Sequence, residues 1–222
     1  MPLIDTLIFD FDGVIIDTET PDFATWQEVF QSHGVELERD WWTRFIGGSS
    51  RRMDICGLLE ELTGQTFDCE SLMRERRRRY VEVVESNPIL PGVVDYIHEA
   101  RRLGLRLAVA SSSNHAWVDG HLESRGLRQH FDSVKCADDV ARVKPDPELY
   151  LLTASTLDTA PGNALVLEDS ANGVTAAKDA GAFCVAVPNP MTKDLPLHRA
   201  DVRLNALSDM PLADLLARAN GS

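Results

Sequence analysis

Hydrophobic and polar residues divide the chain into two kinds of segment. Short apolar runs with the length and composition of buried strands occur at residues 3–9, 105–110, 164–167 and 183–187. Between them, apolar residues recur at helical spacing, as at Val93, Ile97 and Ala100. Strands that alternate with helices form parallel sheets through right-handed crossovers. The pattern therefore predicts an α/β fold with a parallel sheet, and residues 209–219 predict a last amphipathic helix.

The interval between the first two predicted strands is too long for one crossover helix. It contains no convincing strand, and its apolar residues recur at helical spacing around Trp26, around Leu59 and over residues 72–84. These features predict a helical bundle inserted after the first strand, which we call the cap. We place the boundaries at 17–87 for the cap and at 1–16 with 88–222 for the core.

Two short segments are expected to connect the cap to the core. The chain enters the cap at residues 17–20 and returns at 85–90, where Pro88 and Pro91 prevent a helix from continuing. We therefore expect these segments to act as hinges.

The net charge of −13, from 22 basic and 35 acidic residues among 222, disfavours some partners. An acidic surface repels phosphate backbones and anionic lipid head groups, so we expect neither nucleic-acid nor membrane binding. No apolar stretch reaches the length of about 18 residues that a membrane helix needs, and no cleavable leader is evident. We expect a monomer.

The four cysteines show no CxxC pair and no partnering histidine. This is typical of reduced thiols, and we expect a cytoplasmic protein in which these residues are free: Cys56, Cys69, Cys136 and Cys184.

Polar residues follow three of the predicted strands. Asp10 and Asp12 follow the first, Ser111 and Ser112 the second, and the pair Glu168–Asp169 the third. In an open parallel sheet, ligands bind beyond the carboxyl ends of the strands, which we call the rim. Taken singly, each motif has a simpler interpretation, as an acidic turn or as a helix cap. Together they indicate a hard cation with oxygen ligands beside an anionic group.

Lys144 is the candidate for a positive group at this site. Pro145 disfavours a helical backbone at Lys144, and Asp146 with Pro147 can begin a helix directly afterwards. A solvated surface lysine is the alternative. With the other motifs, Lys144 completes a set suited to phosphoryl transfer onto an aspartate, because Mg²⁺ and an ammonium group would neutralise phosphate oxygens during attack by a carboxylate.

The motifs resemble those of the haloacid dehalogenase-like hydrolase superfamily, in the same order and over nearly the whole chain. They are Asp10-Phe11-Asp12-Gly13-Val14, Ser111, Lys144-Pro145 and Glu168-Asp169-Ser170. The resemblance implies a Rossmann-like core with an inserted helical cap, as in the β-phosphoglucomutase-like subgroup of phosphatases.

The resemblance also implies roles for individual residues. Asp10 would be the nucleophile and a Mg²⁺ ligand, and Asp12 the general acid/base, with its backbone carbonyl on the metal. Asp169 would be a direct ligand, with Glu168 on the metal or directly behind it. Ser111, the Ser112 N–H and Lys144 would hold the transferring phosphoryl group. In the cap, Gly47 and Arg51 are candidate substrate contacts, as is Arg76.

The function predicted from the sequence is Mg²⁺-dependent hydrolysis of a small phosphorylated metabolite, such as a sugar phosphate, through a phosphoaspartate. A phosphomutase is the first alternative, but a cap-hinge histidine that β-phosphoglucomutases use falls, by counting, at Asp22. A phospho-receiver signalling module is a second alternative, and Asp12 and the cap argue against it. A catalytically inactive binding protein is the third.

Overall fold

The computed structural model describes residues 3–43, 46 and 54–221. Over these ranges it contains a six-stranded sheet in which every pairing is parallel. The strands are β1 (Thr6–Phe9), β2 (Arg106–Ala110), β3 (Ser133–Lys135), β4 (Ala164–Glu168), β5 (Phe183–Ala186) and β6 (Val202–Arg203). Their spatial order is β3-β2-β1-β4-β5-β6, which confirms the predicted Rossmann-like core. The sequence pattern had indicated β1, β2, β4 and β5 only.

The strand order reverses between β1 and β4, and ligand sites form at such a point. The register aligns Phe9 of β1 with Val109 of β2 and Leu167 of β4. The Asp10 N–H continues the ladder by donating to the Leu167 carbonyl at 2.9 Å. The residues that follow these three aligned positions therefore lie side by side at the rim.

Helices cover both faces of the sheet. They are α1 (Glu19–Ser32), α2 (Arg39–Trp42), α3 (Ile55–Thr63), α4 (Cys69–Ser86), α5 (Val93–Arg102), α6 (His115–Ser124), α7 (Glu148–Thr156), α8 (Ala171–Asp179) and α9 (Leu212–Ala219). Leu7 and Phe9 of β1 belong to a core cluster with α5, α6 and α9. Ile8, which points to the opposite face, packs in a second cluster with α7 and α8. The C-terminal helix begins at Leu212 rather than at residue 209.

The cap consists of α1 to α4, which lie between β1 and α5. Its apolar cluster is centred on Trp26, Phe30, Trp42 and Leu59, and Met191 of the core also packs in it. The two connections to the core run together, since Ile16 forms a β-bridge with Ile89 and the Leu90 N–H donates to the Ile15 carbonyl at 2.9 Å. The structure thus contains the inserted helical bundle, while the boundaries at 17 and 87 stay predictions.

The cysteines correct one expectation. Cys56 and Cys69 form a disulfide, with their Cα atoms 5.8 Å apart, so the prediction of reduced thiols is wrong for this pair. Asp54 and Asp68 cap the N-termini of α3 and α4, and these two first turns meet, which a spacing of 13 residues does not reveal. Cys136 and Cys184 are free and buried. The cytoplasmic location rested partly on reduced thiols and stays a prediction.

None of the described helices is both long enough and apolar enough to cross a bilayer.

Candidate active site

Lys144 lies at the centre of the rim and is almost fully buried. Its Nζ donates to Asp10 Oδ1 at 2.7 Å, to Glu168 Oε1 at 2.7 Å and to the Ala110 carbonyl at 2.8 Å. These three bonds use every donor of the ammonium group. Burial lowers the pKa of Lys144, but the two carboxylates outweigh burial and raise it. Lys144 is therefore a fixed positive charge beside Asp10 rather than a solvated surface lysine.

Glu168, the last residue of β4, holds Lys144 in place. Its carboxylate also accepts from the Tyr150 hydroxyl, from the Asp169 and Ser170 N–H groups at 3.1 and 3.3 Å, and from the Ser170 hydroxyl at 3.2 Å. Gly173 lets α8 approach this carboxylate closely, since a Cβ there would lie 1.9 Å from Oε1. Both oxygens of Glu168 are thus occupied, which favours a position behind a metal ion over direct ligation.

Asp169 lies near Asp10, at the point where the strand order reverses. One neighbour bonds to its carboxylate and another lies close to it. Asn189 Nδ2 donates to Asp169 Oδ2 at 2.6 Å. Gly13 turns the chain with a φ of 84°, and a Cβ there would lie 2.3 Å from the same oxygen. A side chain at position 13 would therefore displace Asp169.

Three buried carboxylates converge at this point. Asp10, Glu168 and Asp169 can each offer one oxygen, and these oxygens lie within 4.8 Å of one another. Burial raises the pKa of Asp10 to about 8; Lys144 opposes this rise, while Glu168 and Asp12 add to it. Burial, with Asp10 and Glu168 nearby, also raises the pKa of Asp169. One ammonium group does not balance three carboxylates, so the donor set fits an oxygen-liganded divalent cation.

Asp12 points towards the loop after β2. Its Oδ2 accepts from the Ser113 hydroxyl at 2.6 Å and from the Ser111 hydroxyl at 3.2 Å, and its Oδ1 accepts from Trp117 Nε1 at 3.0 Å. The loop therefore brings Ser111 to the first motif, as expected.

The same loop starts α6. Asn114 caps the helix by accepting from the Trp117 N–H at 2.9 Å, so the simpler capping interpretation also holds here. The Ser112 hydroxyl is buried and has no hydrogen-bond partner among the described residues, which leaves it available at the rim.

Comparison with known proteins agrees with this geometry. Residues 7–187 match the family model described as haloacid dehalogenase-like hydrolase. The chain is a haloacid dehalogenase-like hydrolase. The resemblance drawn from the four motifs, including its place beside the β-phosphoglucomutase-like phosphatases, is thereby confirmed.

Several known proteins are similar to this hydrolase over almost their full length. The protein YhcW of Bacillus subtilis (strain 168) is 44% identical over 98% of this chain and 99% of its own. Hexitol phosphatase B of Escherichia coli (strain K12) is 30% identical over 94% of this chain and 95% of its own. A crystal structure of the D10N mutant of CbbY from Rhodobacter sphaeroides, in complex with xylulose-(1,5)bisphosphate, has a TM-score of 0.76 at 29% identity and covers 93% of this chain and 96% of that one.

The cap of the hydrolase brings further charged groups near the rim. Burial raises the pKa of Glu19, and the negative charges of Asp22, Asp12 and Asp10 raise it further. Arg76 is buried, binds the carboxylate and the carbonyl of Asp22, and lies over the rings of Trp26 and Tyr80. Gly47 and Arg51, the two cap residues expected to contact substrate, lie outside the described residues.

Sequence reasoning missed three residues that shape the hydrolase site. Asn189 follows β5, so the rule that directs attention to strand ends could have found it. Tyr150 lies within α7 and Trp117 within α6, and no local pattern marks either residue as a neighbour of a carboxylate. Their contacts depend on how each helix packs against the sheet.

Proposed function

We propose that this hydrolase is a Mg²⁺-dependent phosphatase that hydrolyses a small metabolite of the sugar-phosphate class through a phosphoaspartate on Asp10. One observation carries the proposal: the Asp10 carboxylate, buried at the end of β1, has Lys144 on Oδ1 and lies with Asp169 in a set of converging carboxylates. The names of hexitol phosphatase B and of the CbbY complex support a phosphorylated sugar or polyol as substrate.

Asp10 would act as the nucleophile. Lys144 occupies Oδ1, which leaves Oδ2 to attack phosphorus. The Ser112 hydroxyl and nearby backbone N–H groups would bind the phosphoryl oxygens, while the ammonium group, whose three donors are in use, would contribute its positive charge beside them. Asp10, Asp169 and the Asp12 carbonyl would hold the metal, with Glu168 behind them fixing Lys144. A bound Mg²⁺ would supply positive charge that neutralises the phosphate oxygens.

Asp12 would move the proton in both half-reactions. It would protonate the leaving oxygen as the P–O bond to the alcohol breaks, and then deprotonate the water that attacks the phosphoaspartate. Ser111 and Ser113 contact the same carboxylate and would orient it.

Phosphate release from a panel of phosphorylated metabolites, with Mg²⁺ and with a chelator, tests this proposal. We expect release from sugar or polyol phosphates that stops with the chelator and returns when Mg²⁺ is restored. Full turnover in the chelator would contradict the metal requirement, and release of no phosphate from any ester would contradict the activity. Conversion of a hexose 1-phosphate to the 6-phosphate, faster than release of free phosphate, would establish the mutase instead.

A further inference from the structure

Trp117 contacts the proposed acid/base and is not one of the family motif residues quoted above. It is the third residue of α6, and its Nε1 donates to Asp12 Oδ1 at 3.0 Å. An indole N–H can donate but cannot accept. Oδ1 must therefore act as an acceptor, and a proton on Asp12 has to lie on Oδ2, because the Ser111 and Ser113 hydroxyls on that side can turn to accept a hydrogen bond as well as donate one.

The indole ring of Trp117 is held by the cap. Tyr80 of α4 stacks on it with ring centroids 5.4 Å apart and an interplanar angle of 17°. The guanidinium of Arg77, one turn earlier on α4, lies 4.4 Å from the indole centroid. Both residues belong to the cap, whereas Trp117 and Asp12 belong to the core. The contact thus joins the two parts of the molecule beside the catalytic carboxylate.

A second contact fixes how α4 lies along α6. Arg125 follows the C-terminus of α6, and its Nη2 donates to the carbonyls of Val84 and Asn87 at 2.8 and 3.3 Å. Val84 is one helical turn beyond Tyr80. Because this end of α4 is bound to α6, Tyr80 has a defined position against the indole ring.

The core side of Trp117 is equally well packed. His121, one turn later on α6, meets the indole edge-on with centroids 4.1 Å apart. The His121 ring in turn stacks on Phe11, which lies between Asp10 and Asp12 in the first motif. The indole is therefore held between a cap helix and the strand end that carries the nucleophile.

We propose that Trp117 is a positioning residue that orients Asp12 for proton transfer, and that Tyr80 makes this orientation depend on the position of the cap. The inference rests on the proposed function, because it assumes that Asp12 is the acid/base. Trp117 is unchanged by the reaction. Asp10 forms a bond to phosphorus, the bond from phosphorus to the alcohol oxygen breaks, and the proton passes from Asp12 Oδ2 to that oxygen. Water then releases phosphate while its proton returns to Asp12.

Two esters with different leaving groups distinguish a misoriented acid from a loss of activity with another cause. An alkyl phosphate needs a proton on its leaving oxygen, whereas 4-nitrophenolate leaves without one. We expect Trp117→Phe, which keeps a ring against Tyr80 but removes the N–H, to lower kcat/KM for the best alkyl phosphate of the panel about tenfold. The same variant should change kcat/KM for 4-nitrophenyl phosphate by less than about twofold. An equal loss with both esters, or no loss with either, would overturn the proposal.

Trp42→Phe is the matched control. It makes the same chemical change in the apolar cluster of the cap, where the indole Nε1 has no hydrogen-bond partner among the described residues. We expect it to leave the ratio of the two kcat/KM values unchanged. A change in this ratio equal to that caused by Trp117→Phe would overturn the assignment, because loss of any indole N–H would then be sufficient to change the ratio.

Tyr80→Leu tests the link to the cap, because it keeps the Trp117 N–H but removes the stacked ring. We expect it to lower the alkyl-to-aryl ratio about threefold, and to lower it no further when combined with Trp117→Phe. An unchanged ratio would overturn the link. If Trp117→Phe does not fold, as judged by thermal unfolding, Tyr80→Leu alone decides the matter. Failure of the wild-type protein to hydrolyse either ester would instead count against the proposed function.

Discussion

The rim and the cap differ in how fully their buried polar atoms are hydrogen-bonded. At the rim, Glu168 accepts from five donors, Lys144 uses all three of its donors, and Asp12 accepts from three side chains. In the cap, Arg76 Nε, Trp42 Nε1 and Thr20 Oγ1 are buried without a hydrogen-bond partner among the described residues. The rim is thus ordered largely by its own hydrogen bonds, whereas the cap leaves Arg76, the candidate substrate contact among these residues, with an unpartnered donor.

This difference has a consequence for function. Fixed dipoles and charges at the rim need no reorganisation when a phosphoryl group arrives, which is the usual origin of electrostatic catalysis. The Ser112 hydroxyl, buried at the rim without a partner within the described ranges, lies where we propose that a phosphoryl oxygen binds. Chemistry and specificity are therefore expected to respond to different substitutions.

The largest expected effect is that of Asp10→Asn. An amide is not a nucleophile, so we expect kcat to fall by about 10³-fold or more. The amide oxygen can still accept from Lys144, and one of three converging carboxylates disappears, so the thermal midpoint should not fall. Turnover close to that of the wild-type protein, measured by phosphate release, would contradict the assignment of Asp10 as the nucleophile.

Lys144→Met tests whether the rim depends on one buried cation. The change leaves Asp10 and Glu168 buried without their partner, and we expect the free energy of unfolding to fall by about 3–5 kcal/mol. The control is Lys178→Met, because Lys178 pairs with Asp201 at 2.6 Å in a more exposed position. That variant should lose about 1 kcal/mol or less in urea unfolding. Equal losses in the two variants would mean that burial does not distinguish these pairs.

Gly173→Ala tests the close approach of α8 to Glu168. The added Cβ would overlap the Glu168 carboxylate and displace it together with Lys144, so we expect a loss of about 1–3 kcal/mol and a lower kcat. Gly120→Ala in α6 is the matched control, since nothing lies within 4 Å of a Cβ at that position. It should stabilise the protein by up to about 1 kcal/mol, because alanine is a better helix former. A stable, fully active Gly173→Ala variant would show that Glu168 need not be fixed.

The smallest expected effect concerns a charge cluster outside both regions. His115 Nδ1 contacts Asp119 and its Nε2 contacts Asp139, each at 2.8 Å. Burial lowers the pKa of His115, but the two hydrogen-bonded carboxylates raise it above 6.5 overall. The charged form is therefore favoured by folding. Its contribution is complete below pH 6.5 and is lost as the pH rises through the higher pKa of the folded state.

His115→Gln should accordingly flatten the pH dependence of stability in this range. Chemical denaturation between pH 5 and 9 measures the effect, and His198→Gln, at an exposed histidine, is the control. A fall in stability that is the same in wild type and His115→Gln would assign the pH dependence to other groups.

Some of this architecture follows from local sequence, and some does not. β1 and β4 were predictable because each is a continuous apolar run that ends in acidic residues. β3 and β6 were not, because three and two residues carry too little pattern to distinguish an edge strand from a loop.

The candidate active site shows the same division. The meeting of Asp10 and Asp169 was predictable because parallel strands bring their carboxyl ends to one edge, whereas Lys144 was singled out by Pro145 and by the need for a positive group. Tyr150 and Trp117 were not, because the side of a helix that meets a carboxylate is decided by packing. The disulfide between Cys56 and Cys69 depends similarly on how two helix N-termini meet in the cap.

Trapping of the phosphoenzyme tests the central claim most directly. Asp12→Ala should still react with 4-nitrophenyl phosphate, whose leaving group needs no acid, but should hydrolyse the phosphoaspartate slowly for lack of a base. After acid quenching in the presence of Mg²⁺, mass spectrometry should find one phosphoryl group on the peptide that contains Asp10, and none when Asp10→Asn is added. A phosphoryl group on another residue, or continued turnover by the double variant, would contradict the account.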